Sequence, residues 1–138
     1  MQRVTVNDVM ARHPVAIKKG TSLPQAVDTL VNHHLPGLPV VDDSNRVVGF
    51  ISEQDCLGHL LEETYYDQGS PSVEDVMTAN AVTVEPDMLL IDLAQRLLRL
   101  RPKTFPVVQE GQLVGMVTRT HVVDALRRQR DSMDRKKR

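Results

Sequence analysis

The sequence predicts a mixed α/β (α+β) fold: two pseudo-symmetric β-α-β-β-α units packed as one module. Three observations predict it. First, Asp8-Val9-Met10 recurs as Asp75-Val76-Met77, an offset of 67, and a fixed offset between similar segments marks an internal repeat. Second, an apolar helical stripe follows at the same offset in each copy. Third, each copy closes on a strand that passes straight into a helix, Val47–Asp55 and Leu113–His121. The organisation is residues 1–61 as the first copy, 62–72 as connector, 73–126 as the second copy and 127–138 as a basic C-terminal tail.

In chain order, Val15-Ala16-Ile17 and Val82-Thr83-Val84 read as short strands rich in β-branched residues. Leu23, Ala26, Val27, Leu30 and Val31 lie at i, i+3, i+4, i+7 and i+8, one face of a helix. Leu90, Leu93, Ala94, Leu97 and Leu98 repeat that face. Ser22 and Asp87 are candidate N-caps, and Pro24 is tolerated because the first helical turn has no use for its missing N–H. Pro39-Val40-Val41 and Pro106-Val107-Val108 read as second strands. Polar turns follow, Asp42-Asp43-Ser44-Asn45 and the shorter Gln109-Glu110-Gly111, so the offset falls to 66 and each copy holds a hairpin. The closing helices carry apolar Leu57, Leu60 and Leu61 in the first copy, Val123 and Leu126 in the second. A copy of ~55 residues is marginal as a lone fold, which favours one shared module. The connector run Asp67-Gln68-Gly69-Ser70-Pro71-Ser72 is turn-rich, and Tyr65 and Tyr66 within the connector read as packing cover.

Composition narrows the function. Aromatic content is 3%, so the core is aliphatic and the stacking platforms of single-strand nucleic-acid binders are missing. The single cysteine, Cys56, has no internal partner, which points to a reducing, cytoplasmic compartment; beside Leu57 on a helix it reads as a small buried hydrophobe. Met1-Gln2-Arg3-Val4-Thr5 lacks the apolar run of a signal peptide. No apolar stretch approaches the roughly 20 residues of a membrane span. The net charge of -1 hides an asymmetry: residues 127–138 hold seven basic and two acidic residues, leaving 10 against 16 elsewhere. That tail reads as a solvated helix end, with nucleic-acid binding as the sharper alternative. His33 and His34 are adjacent, so their side chains diverge on a helix and no metal pair is expected. No phosphate loop, Cys-x-x-Cys or nucleophile elbow appears, so no catalytic residue is named and an enzyme is not expected.

These residues resemble a tandem cystathionine-β-synthase (CBS) domain pair, a Bateman module. The marks are Asp-Val-Met at the start of each copy, Pro-Val-Val before each turn, and Gly-x-h-Ser/Thr-x-x-Asp at the end (h, apolar). The resemblance spans about Val6 to Leu126. It implies a stand-alone regulatory module that binds an adenosine-containing ligand (AMP, ADP, ATP, a cyclic dinucleotide or S-adenosylmethionine) in clefts between the copies. It also implies a flat homodimer and an effector protein that reads the occupancy. No cofactor is required; the adenosyl molecule is the ligand.

The resemblance places one cleft at Ser52 and Asp55. Independently, a carboxylate offers two acceptor oxygens to the two adjacent hydroxyls of a ribose, and a helix start offers N–H groups to a phosphate. By the family pattern Asn80, Ala81 and Val82 meet the adenine edge, with Leu38, Pro39 and Ile51 as apolar cover. The local alternative is a capping box, in which Ser52 and Asp55 only finish the helix. The second cleft would use Val117, Thr118 and His121, with Met10, His13, Pro14 and Val15 from the first copy and Phe105 beside it. This copy departs from the pattern, because a neutral imidazole has one acceptor and a protonated one has none. Lys103 and Arg119 are the phosphate candidates there. The competing class of function is a ligand-free dimerisation or protein-interaction scaffold.

Overall fold

In the computed structural model, residues 3–63, 71–101 and 104–136 are described, and they divide into two compact units that do not follow chain order. Tyr65, Tyr66 and Lys103 lie outside the described residues. One unit, here called the Asp55 unit, comprises Val15–Val82 and Glu110–Leu113; the other, the His121 unit, comprises Met1–Pro14, Thr83–Gln109 and Val114–Arg138.

The Asp55 unit holds β1 (Ile17–Lys18), α2 (Leu23–Asn32), β2 (Gly37–Val41), β3 (Val47–Ser52), α3 (Glu53–Glu63), α4 (Val73–Val76) and β4 (Thr78–Ala79). Its sheet runs β1-β2-β3-β4; β1 is parallel to β2 and the other pairs are antiparallel. The His121 unit holds α1 (Val6–Val9), α5 (Leu90–Leu97), β5 (Thr104–Gln109), most of β6 (Gln112–Thr118) and α6 (Arg119–Lys136), with β5 and β6 as a two-stranded sheet.

The two cores match position by position. Ile17, Leu23, Leu38, Val40, Ile51, Cys56 and Val73 pack the Asp55 unit. Their counterparts at offset 67 or 66, Val84, Leu90, Phe105, Val107, Val117, Val122 and Val6, pack the His121 unit. Val73 and Val6 arrive in these cores from the opposite sequence copy. Each fully buried aliphatic side chain contributes about 1.5–3 kcal/mol of burial.

The exchange has a backbone cause. The N–H groups at a helix start lack intrahelical partners. The Leu23 N–H donates to Pro71 O at 2.9 Å, and the Leu90 N–H to Val4 O at 2.8 Å. In return the Val73 N–H donates to Thr21 O at 2.8 Å, and the Val6 N–H to Met88 O at 2.9 Å. The short opening helices α1 and α4 are thus tied to the long helix of the other copy.

The structure corrects four expectations. The first strand is only Ile17–Lys18, and in the second copy it shrinks to a bridge from Val84 to Val107; His13 sits at φ 57 and Pro14 lacks an N–H, so pairing starts only after that turn. Asp87 is not the cap of α5: Leu89 is, with no side-chain bond, while Ser22 does cap α2. Leu89 is where the offset of 67 places the counterpart of Ser22. Val31 and Leu98 end their stripes exposed, at 60% and 87%, because the buried contact stops a turn earlier. Finally, Leu57, Leu60, Leu61 and Val123 do not close the units; Cys56 and Val122 face the cores, and the other stripe is turned outward. Helix α6 runs through the basic segment as far as Lys136, and residues 127–135 are mostly exposed.

Candidate functional site

Strand β3 passes into α3 without a loop. Ser52 lies opposite Gly37 on β2, and on the other side of β3, Gly49 and Phe50 lie opposite Ala79 and Thr78 of β4. A Cβ on Gly49 would stand 2.5 Å from Met77 Sδ and 2.9 Å from Thr78 O. The glycine therefore lets the opening segment of the second copy lie against the closing strand of the first. Gly115 does the same in the His121 unit, where a Cβ would meet Met10 Sδ at 2.5 Å and Ala11 O at 3.0 Å. Ala11 and Met116 exchange both backbone bonds there, at 2.8 and 3.0 Å.

At the head of α3 the capping box is formed. The Ser52 N–H donates to Asp55 Oδ2 at 3.0 Å, and the Asp55 N–H donates to Ser52 Oγ at 3.1 Å. Local capping and ligand binding are compatible: among the described residues Asp55 Oδ1 accepts no hydrogen bond, and a carboxylate oxygen has two lone pairs to offer. Both side chains are half-buried, and Glu53 beside them is exposed. Leu38 and Pro39 on β2 and Ile51 on β3 are buried, with Leu38 and Ile51 part of the unit's core. Asn80 follows β4 with left-handed backbone, φ 57, and the chain leaves the sheet there through Ala81 and Val82. The register sets Thr78 and Ala79, both exposed, beside Phe50 and Gly49. These two residues were missed; the repeated glycine before each Ser/Thr was the signal that a backbone crosses there.

The His121 unit repeats the device with a different atom. The Thr118 N–H donates to His121 Nδ1 at 3.0 Å, and the His121 N–H donates to Thr118 Oγ1 at 3.1 Å. An accepting Nδ1 carries no proton, so the neutral ring carries it on Nε2. The single acceptor of the imidazole is then spent on the cap. Arg119 is exposed at the first position of α6, so this helix start is cationic where that of α3, with Glu53 and Asp55, is anionic. Met10, Phe105 and Val117 are buried core residues, Pro14 is half-buried and His13 is exposed with φ 57. His13 and Asn80 are thus equivalent in both position and backbone. Val15 falls in the other compact unit, and Lys103 outside the described residues.

Cys56 is buried one residue beyond Asp55. Burial, and then the charges of Asp55 and Glu53, push its thiol above the ordinary value. Among the described residues no group of His, Cys, Asp and Glu side chains is arranged to hold a metal ion. No helix among them is long and apolar enough to cross a membrane.

Comparison with known proteins agrees with this geometry. A family profile for the CBS domain matches twice, at residues 6–62 and 73–128. The crystal structure of CBSX2 in complex with AMP is 33% identical, covers 91% of this chain and 98% of that chain, and superposes with a TM-score of 0.79; CBSX2 is a protein of Arabidopsis thaliana. MJ1225 of Methanocaldococcus jannaschii is 27% identical over 88% of this chain. The carnitine transport ATP-binding protein OpuCA of Listeria monocytogenes is 36% identical over 86% of it. The chain spans only 42% of the first of these two relatives and 28% of the second. With both repeats matched, and with the same glycine crossing and helix cap in each, the chain belongs to the CBS domain family as a tandem pair.

Proposed function

We propose that this chain is a regulatory module that binds one adenosine-containing small molecule at the Asp55 unit and passes the occupancy to a protein partner by a shift in conformation. The observation that carries the reading is the free Oδ1 of Asp55, an acceptor held in place by a cap that uses the other oxygen. It suits the vicinal hydroxyls of a ribose. Ser52 shares the cap with Asp55, and the exposed Thr78 and Ala79 pair with the strand that leads into it. The AMP complex of CBSX2 supports the choice of ligand class. The protein acts in regulation rather than catalysis, as a homodimer in the cytoplasm; the named enzymes among its relatives are matched over small fractions of their length.

His121 leaves the second half unable to accept from a ribose diol, so one ligand binds per chain. A ligand at 100 times its Kd adds about 2.7 kcal/mol of stability. Thermal melts with AMP, ATP, cyclic di-AMP and S-adenosylmethionine should therefore show an upward shift with at least one of them. Asp55→Asn keeps an oxygen for the Ser52 N–H and removes the charge, so it should fold and lose the shift. A midpoint that no adenosyl compound moves, or an equal shift in Asp55→Asn, defeats the reading. Under the scaffold alternative, favoured by the outward apolar face of α3, all midpoints stay still while the protein remains associated.

A further inference from the structure

The two closing helices are capped by different chemistry. At the head of α3 a carboxylate oxygen holds the Ser52 N–H, and at the head of α6 the His121 Nδ1 holds the Thr118 N–H, each at 3.0 Å. A carboxylate keeps its acceptors throughout about pH 5–8, whereas that is the range in which an imidazole gains a proton. Both nitrogens of an imidazolium are donors. Protonation of His121 therefore sets one N–H against another, and the ring has to leave the cap.

The surroundings do not hold the charged ring in place. The first turn of α6 has no acidic residue, and exposed Arg119 already sets one cation at the positive end of the helix. Asp124, on the same helix, is paired with Arg127 and Arg128. Helices α1 and α5 pack against α6. On α1 the carboxylate of Asp8 accepts from Thr5, and α5 carries Asp92 and Arg96, both exposed. Strands β5 and β6 carry no charged residue. Beyond the bridge from Ala11 to Met116 come Arg12, bonded to Asn7, and the exposed His13. Among the described residues no carboxylate is bonded to the His121 ring. The next residue, Val122, is buried in the core with Phe105 and Val117, so a cap that opens loosens that core.

We propose that His121 is a proton-operated latch on α6. The neutral ring closes the first turn of the helix. Protonation opens it, which loosens the His121 unit while the cap of the Asp55 unit stays shut. The direction is fixed by the acceptor: the cap is whole at the alkaline end of the range and is lost as pH falls through it. The module thus takes a second input, acidity, in the half whose helix cap is not a carboxylate. The inference stands on the cap geometry and is independent of the adenosyl reading.

Amide exchange of the full chain, followed by NMR and corrected for the intrinsic rate at each pH, reads the latch. Between about pH 8 and pH 5 the Thr118 and His121 amides should lose protection by about tenfold, while those of Ser52 and Asp55 hold theirs. His121→Asn keeps an oxygen for the Thr118 N–H and gains no proton in this range, so its protection should be flat. His121→Asp rebuilds the cap of the other copy and should be flat as well, which serves if the first variant does not fold. Equal protection at both pH values in the unmodified chain overturns the latch. So does a loss that survives in both variants, or one that His13→Asn abolishes instead. As a second measurement, the ¹⁵N spectrum of the His121 ring at about pH 8 should place the proton on Nε2; a ring protonated on Nδ1 there overturns the cap itself.

Discussion

Cys56 fills the place that Val122 fills in the other unit, and the comparison explains its chemistry. Both side chains pack into a core. Desolvation opposes the thiolate most, and the carboxylates of Asp55 and Glu53 add to it. The sign follows directly. The folded state holds the thiol proton to higher pH than the unfolded state does, so stability is intact below the ordinary thiol range and falls as pH rises through it. Iodoacetamide should thus modify Cys56 far more slowly in the native protein than in urea, and Cys56→Ala should flatten the alkaline loss of urea midpoint. Rapid native alkylation would contradict the burial. His121 was legible as a departure from the repeat. That its one acceptor is committed to Thr118 was not, because a tautomer is set by a backbone N–H that only the folded turn brings near.

Among the elements, those built from local periodicity were readable. The stripe starting at Leu23 gave α2, the Pro-Val-Val runs gave β2 and β5, and Ser52 marked the head of α3. The turn Glu110-Gly111, with φ of 53 and 82, is the tight turn the shorter second hairpin requires. The elements that depend on distant partners were not readable. The four-residue helices α1 and α4 have too few bonds to stand alone; they exist because each lends backbone groups to a helix of the other copy. The outward stripe of α3 was misjudged for a related reason, since periodicity shows that a face is apolar but not what covers it. The glycine crossing is the testable element. Gly49→Ala and Gly115→Ala each force a Cβ against a methionine sulfur and a backbone carbonyl. Overpacking of this kind costs about 1–3 kcal/mol. Urea denaturation of the two variants should show similar losses, because the two crossings are built alike. A neutral Gly49→Ala would mean that β4 does not lie where β3 needs a glycine.

At the scale of the whole molecule, the repeat visible in the chain and the compact units of the fold are different partitions. Residues 1–14 belong with Thr83–Gln109, and α4 and β4 belong with the strands of the first copy. Removing residues 1–14 takes Val6 and Met10 from the core that holds Phe105 and Val117, and takes Val4 O from the Leu90 N–H. Hydrogen exchange on such a truncation should speed up in α5, β5 and β6 while β2 and β3 keep their protection. Loss of protection in β2 and β3 instead would refute the partition.

The interleaving also dictates a timetable for a ribosome reading this message from its 5′ end. Helix α1 is translated before residues 84–122, which make its resting place. It has to wait for them while most of the Asp55 unit is made, and that unit is itself complete only when residues 110–113 have followed β4. A proteolytic nick just after α1 would therefore do its damage in α5, β5 and β6.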